Sequence, residues 1–154
     1  MLMSLDQFVF SLTSAPFHEL SRRRDWKHAR KSRVGARDSR QFAGEGEDTI
    51  TLTGMVAPGV IGDAASIDAL AAMADHGDAY VLVDGAGHAY GAYVITGLEE
   101  RQCYHTAEGI PRRIDFTLTI ERVDDEVLRQ TPDAPYDDAG EDDVGDDDAD
   151  EQEA

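Results

Sequence analysis

Charge is segregated along this 154-residue chain, and the segregation limits how much of it can fold. From Asp124 to Ala154 there are fifteen acidic residues and one basic residue, Arg129, a balance of −14 within a total of −18. Almost no apolar side chain follows Leu128. Such a segment cannot bury enough surface to offset its ordering entropy, so disorder is expected over 125–154. The stretch 1–123 has seventeen acids and thirteen bases, and nine of those bases crowd into Arg22–Arg40. The chain therefore divides into a near-neutral body, 1–124, with a basic segment near its start, and an acidic tail. A body of this length is one domain with a core of its own.

Alternation within the body points to antiparallel strands. A strand is expected over Leu5–Leu12, with Phe8 and Phe10 on one face and Val9 on the other, and another centred on Trp26. Ala29–Arg40 has little apolar content and contains Gly35, which reads as a long exposed loop. Thr49–Val56 (TITLTGMV) is the clearest strand, and Pro58-Gly59 stops it. One helix is expected over Ser66–His76, capped by Ser66, with Asp68 in its first turn and Gly77 as its left-handed terminus. Its apolar stripe is Ile67, Leu70, Ala71 and Ala74, with Met73 beside it. Ala79–Asp84 and His88–Thr96 flank turn chemistry at Asp84-Gly85-Ala86-Gly87 and form a hairpin. Leu98–Thr106 is a polar segment leading to a turn at Ala107-Glu108-Gly109. In Arg113–Val123, Ile114, Phe116, Leu118 and Ile120 face inward and Asp115, Thr117, Thr119 and Glu121 face outward. The sum is an α+β, mainly β fold of six or seven antiparallel strands with one flanking helix.

The motifs favour an assembly component over an enzyme. Cys103 is the single cysteine, so no intramolecular disulfide is possible and a reducing compartment fits. Cys103 and His105 share a strand face but make only two of the four ligands that structural zinc takes. Gly85-Ala86-Gly87 lacks the third glycine and the helix that a phosphate loop needs. No hydroxyl sits in a nucleophile elbow and no carboxylate couple stands out, so no catalytic residue, metal or cofactor is expected. The apolar N-terminus lacks a basic leader region, and no apolar run is long enough to cross a bilayer, so a soluble cytoplasmic product without membrane contact is expected. The basic segment with Trp26 interleaved could grip nucleic acid. The acidic remainder would repel a polyanion, which favours an acidic protein surface as its partner.

The segments SLDQFVFSLTSAPFHELSR, SRVGAR (32–37), DTITLTG (48–54) and RIDFTL (113–118) resemble, in order, the GpU family of phage tail proteins. The likeness runs over about residues 3–125 and leaves the acidic tail outside. It implies a structural, non-catalytic part of a contractile phage tail or of a tailocin particle. It further implies a tail-tube-like fold of packed antiparallel sheets or an open barrel, and homo-oligomeric rings, hexameric, beside tail tube, tape-measure or baseplate hub proteins. Assembly would start in the host cytoplasm and end in the virion tail. A tail terminator at the head-proximal end, and a small binding module using residues 22–40, remain the alternatives. For a ring subunit, Arg33, Arg37, Arg40 and Trp26 are the candidate interface residues, since arginines form charge-assisted bonds to carboxylates across an interface. The tail would keep free subunits apart by its charge, or fold back onto the basic segment.

Overall fold

A computed structural model describes residues 1–130 of the chain. Seven strands form one antiparallel sheet: β1 (Met3–Leu5), β2 (Phe8–Phe10), β3 (Phe17–Lys31), β4 (Ser39–Val56), β5 (Tyr80–Asp84), β6 (Ala89–His105) and β7 (Pro111–Arg122). The single α-helix among these residues, α1 (Ala64–His76), lies between β4 and β5 in the chain. The spatial order is β2-β1-β5-β6-β7-β4-β3. This is the mainly β, one-helix architecture expected from the alternation, in the form of an open sheet that does not close.

The strand expected over Leu5–Leu12 is instead a tight hairpin. Leu5 faces Phe8, and Asp6, at φ 53°, turns the chain between them. Aspartate tolerates this left-handed conformation better than a branched residue would. Phe10 is nonetheless buried and Val9 exposed, as the alternation requires. The linker after β2 then curls the sheet. Gly62 and Asp63 donate backbone hydrogen bonds to the carbonyls of Leu12 and Ser14, at 2.8 and 2.7 Å. The rings of Phe10 on β2 and Phe17 on β3 meet edge to face at 5.8 Å, so the two outermost strands approach at one end without a ladder joining them.

The core lines one face of this curled sheet. Ile50, Leu52 and Val56 of β4 and Ile114, Phe116, Leu118 and Ile120 of β7 are buried, together with Met3, Leu5, Phe10, Leu82 and Tyr93. Burying one such aliphatic side chain contributes about 1.5–3 kcal/mol. Helix α1 adds Ile67 and Leu70 to the same cluster, and the Tyr80 hydroxyl on β5 donates to the Met73 carbonyl at 3.0 Å. The helix starts earlier than its apolar stripe suggests. Its cap is Asp63, whose carboxylate accepts from the Ala65 N–H at 3.0 Å. Ser66 is therefore already helical, and Asp68 falls beyond the first turn. The C-terminal cap is Gly77, at φ 70°, as expected.

Two strands outrun their apolar stretches. β3 extends to Lys31 and β4 begins at Ser39, so the expected loop Ala29–Arg40 shrinks to residues 32–38. β6 likewise runs through the polar segment to His105, paired with β7. Backbone ladders need no apolar side chains, so a ribbon with no core to face shows no alternation. At the far end, Asp125–Gln130 forms a 3-10 helix at the start of the acidic segment. The remainder of the segment expected to be disordered, 131–154, lies outside the described residues.

Gly54 faces inward from β4, opposite Phe116. A Cβ placed there would stand 2.6 Å from Phe116 Cζ and would also strike the Pro16 carbonyl oxygen. The site is closed by backbone on one side and a fully buried ring on the other. We expect Gly54→Ala to destabilise the fold by about 1–3 kcal/mol, the usual range for an overpacked core. Urea unfolding of the two forms checks it, and an unchanged midpoint would refute the steric reading.

Candidate subunit interface

Beyond the body, β3 and β4 continue as a two-stranded arm. The β4–β7 ladder ends at the pair Thr49–Glu121, while the β3–β4 ladder continues to Lys31–Ser39. The seven residue pairs from Arg24–Asp48 to Lys31–Ser39 span eight residues of β3, which at ~3.3 Å each give an arm on the order of 25 Å long. β4 carries an extra residue at two points, between the partners of Arg24 and Trp26 and between those of Lys27 and His28. Such bulges increase the local twist of a ribbon.

One face of the arm combines aromatic and cationic side chains. Arg24, Trp26, His28 and Arg30 alternate along β3, and the last two stand opposite Phe42 and Arg40 of β4. Trp26 is 53% exposed and Phe42 61%. The Arg24 guanidinium lies 5.8 Å from the Trp26 ring centroid, and the His28 and Phe42 rings meet edge to face at 5.5 Å. Arg30 directly opposite Arg40 is a like-charge pair, which disfavours the ladder in isolation. Among the described residues, no ion pair involves Lys27, Arg30, Lys31, Arg33, Arg37 or Arg40.

The four residues singled out in the sequence thus lie on one arm without forming one cluster. Arg33 and Arg37 sit in the exposed tip, residues 32–38, and Arg40 lies at the start of β4. Trp26 lies nearer the base, opposite Glu45. Cys103 and His105 fall near the end of β6, with Tyr104 between them at φ 57°, which interrupts the simple alternation that would put them on one face. Among the described residues no three His, Cys, Asp or Glu side chains gather as metal ligands. No helix among those residues is long and apolar enough to cross a membrane.

Polar contacts fix the arm to the body at its base. Arg22 holds Asp48 by two bonds, Nε to Oδ1 at 2.9 Å and Nη2 to Oδ2 at 2.5 Å. The Tyr93 hydroxyl, reaching out from the core on β6, donates to the same Oδ2 at 3.2 Å. Arg122 of β7 donates to the Tyr90 carbonyl at 2.7 Å and pairs with Asp125. Asp125 also accepts from the Ala92 N–H at 3.2 Å. Gly91 makes room for this: at φ 117°, any Cβ there would collide with the Arg122 guanidinium. Sequence reasoning missed the Arg22–Asp48–Tyr93 contact, because its members are 26 and 45 residues apart in the chain. A faint signal existed: Asp48 heads the clearest strand and Arg22 opens the basic run.

The Arg22 hydrogen bond holds the Asp48 carboxyl below its ordinary value, outweighing the opposing effect of burial. The Tyr93 phenol is pushed up, first by burial and then by the Asp48 charge. A carboxyl depressed in the folded state stabilises above its unfolded pKa, near ~4 for aspartate, and loses that contribution as pH falls through its folded value. We expect Asp48→Asn to lose about 2 kcal/mol at pH 7, as for a hydrogen bond to a charged group. The gap to the native protein should narrow on acidification below about pH 4. Urea unfolding at several pH values measures this, and a gap independent of pH would contradict it.

Two comparisons bear on this architecture. The family model Phage P2 GpU matches residues 6–125, so the match covers strands β2 to β7, the helix and the arm, leaves out β1, and ends where the acidic segment begins. A protein of Halomonas phage phiHAP-1, called a probable tape measure protein, is 31% identical over 132 residues. That stretch is 84% of this chain but 15% of the phage protein, so the chain spans a small part of that relative's length. The chain belongs to the Phage P2 GpU family and is a structural protein of a phage tail.

Proposed function

We propose that this tail protein is the subunit of a homo-oligomeric ring, hexameric, at the junction of tail tube and baseplate hub, and that it performs no catalysis. The observation that carries the reading is the arm: a β-ribbon projecting from a compact sheet, with cations at its tip that have no ion-pair partner among the described residues. Residues 22–48 hold nine bases and five acids, and the rest of 1–123 holds four bases and twelve acids. The arm is therefore cationic and the body of any second copy is anionic, the charge relation that steers one subunit onto the next. A contact between two different patches, repeated around a closed rotation, gives a ring.

Open strand edges support the same reading. Among the described residues, β3 has β4 as its only neighbour. β6 pairs with β5 only through Tyr80–Val83, so among the described residues its stretch from Val94 to His105 has a ladder on the β7 side alone. Such edges suit strand addition between subunits. The displaced protonation equilibria of Arg22, Asp48, Tyr80 and Tyr93 all have structural causes in pairing or burial, which favours a role without chemistry. The Halomonas phage relative, in which a similar stretch belongs to a much longer chain called a tape measure protein, supports a place beside the tape measure. Covalent linkage raises the effective concentration of two contacting parts.

Reversing the three arm charges tests the interface. If Arg33, Arg37 and Arg40 each make one charge-assisted bond, their loss removes on the order of 5 kcal/mol per contact, a weakening of roughly a thousandfold or more. The expected outcome for R33E/R37E/R40E is a folded monomer at concentrations where the native chain sediments as a ring. Intact rings in negative stain after the triple change would remove these residues from the interface. A native chain that stays monomeric in all conditions and is absent from tail particles would remove the ring itself.

A further inference from the structure

Two strand edges stand open among the described residues, and their charges are opposite in sign. Past Tyr93, β6 has no ladder on the side away from β7, and Glu99, Glu100, Arg101 and Gln102 are exposed there. Glu99 stands opposite Thr117 and Glu100 opposite Phe116, so one carboxylate lies on the outer face of the edge and one on the core face. Residues 49–100, which include α1 and most of β6, hold seven acids and no Lys or Arg. At the other border of the sheet, β3 from Glu19 to Lys31 holds six bases and two acids. Arg22 stands opposite Ile50 and Arg23 opposite Thr49, so this edge offers a cation to each face.

We infer, on the basis of the ring proposed above, that its junction is β3 of one copy added to the free edge of β6 in the next, with Arg22 and Arg23 set against Glu100 and Glu99. Strand direction alternates along β6-β7-β4-β3. With four strands, β3 therefore meets the β6 of an equally oriented neighbour antiparallel, which continues the pattern of the sheet. An edge could also pair with its own copy about a two-fold axis, but charge rejects that. β3 against β3 opposes two strands of net charge +4, six bases less two acids. β6 against β6 brings Glu99 and Glu100 of both copies together. Like charges opposite one another destabilise a ladder. The unlike pairing uses a different patch on each partner, which a ring requires. Register changes in steps of two residues, because a single step turns the core side of a strand outward. The step that opposes Arg23 to Glu99 also opposes Arg22 to Glu100, and it sets Glu19 beside Cys103. It points the neighbour's arm towards the β5 end of β6, where the Tyr80 hydroxyl binds helix α1 at Met73. The bulges that begin after Arg24 twist the ribbon, so the added ladder ends there. The cations beyond Trp26 are carried to the side of the body that holds the exposed Asp75 and Asp78.

Cys103, the single cysteine, lies on this edge and supplies the reporter. The full-length Glu19→Cys variant is mildly oxidised and run on a denaturing gel without reductant. We expect a ladder of covalent oligomers that extends beyond the dimer and disappears when Cys103→Ser is added. Thr13→Cys, at an exposed loop position, should give no such ladder. Charge reversal gives a second readout. Glu99→Arg and Arg23→Glu should each raise the concentration for half-assembly in sedimentation roughly tenfold, since like charges then face each other. The chain carrying both changes should recover most of that loss. Circular dichroism confirms that each variant is folded. Native rings without the Glu19→Cys ladder, or rings that neither reversal weakens, overturn this junction and leave the ring standing. A native chain that cross-links through Cys103 alone overturns it in favour of two-fold pairing of β6. A native chain that never assembles overturns ring and junction together.

Discussion

β4 and β7 face each other over eight residue pairs, from Thr49–Glu121 to Val56–Ile114. On the inner face this ladder sets Ile50 against Ile120, Leu52 against Leu118, Gly54 against Phe116 and Val56 against Ile114. Each of these positions is buried. On the outer face Thr51 meets Thr119 and Thr53 meets Thr117, pairs that suit a half-solvated sheet. Both strands continue past the ladder, β4 into the arm and β7 into its hairpin with β6. A one-residue slip would turn every core side chain outward, so the buried pairs fix the register of the extensions as well. The arm's direction is inherited from the hydrophobic core.

Electrostatics takes over where that core ends. Arg22 and Asp48 sit at the boundary between the shared ladder and the free ribbon, and Tyr93 brings a buried side chain to the same carboxylate. The bidentate geometry resists rotation of the ribbon about its base better than a single contact would. From there outward nothing apolar supports the arm from below. Its own side chains cover it partly, through the Arg24–Trp26 and His28–Phe42 contacts. Order at the base, and charge at the tip without a partner among the described residues, together suit a part that meets a partner.

The body was legible in the sequence wherever one face of a strand is buried. Ile114, Phe116, Leu118 and Ile120 alternate because the core demands it, and the hairpin of β5 and β6 was marked by its Asp-Gly turn. The arm was not legible as a ribbon. Lys27, Arg30 and Gln41 belong to strands only through backbone bonds, and no burial imposes a pattern on them. The helix cap moved from Ser66 to Asp63 because the Gly62 and Asp63 amides are held by the linker after β2, which starts the helix three residues sooner. The cations of the tip were visible as a charge run. The Arg22–Asp48–Tyr93 contact was not, since it depends on the register of three strands distant in the chain.

The place of β7 in the sheet bears on how the molecule is made. It lies between β4 and β6, yet among the described residues it is the last strand in sequence. A nascent polypeptide lacking it has no continuous core: the apolar faces of Ile50 and Leu52 wait for a partner more than sixty residues downstream. The β3–β4 ribbon, by contrast, closes over a seven-residue tip, so its pairing is local in the chain. The centre of the sheet is therefore complete only once β7 is inserted between β4 and β6. Such long-range closure is slow compared with local pairing, and exposes apolar strand surface until it is finished.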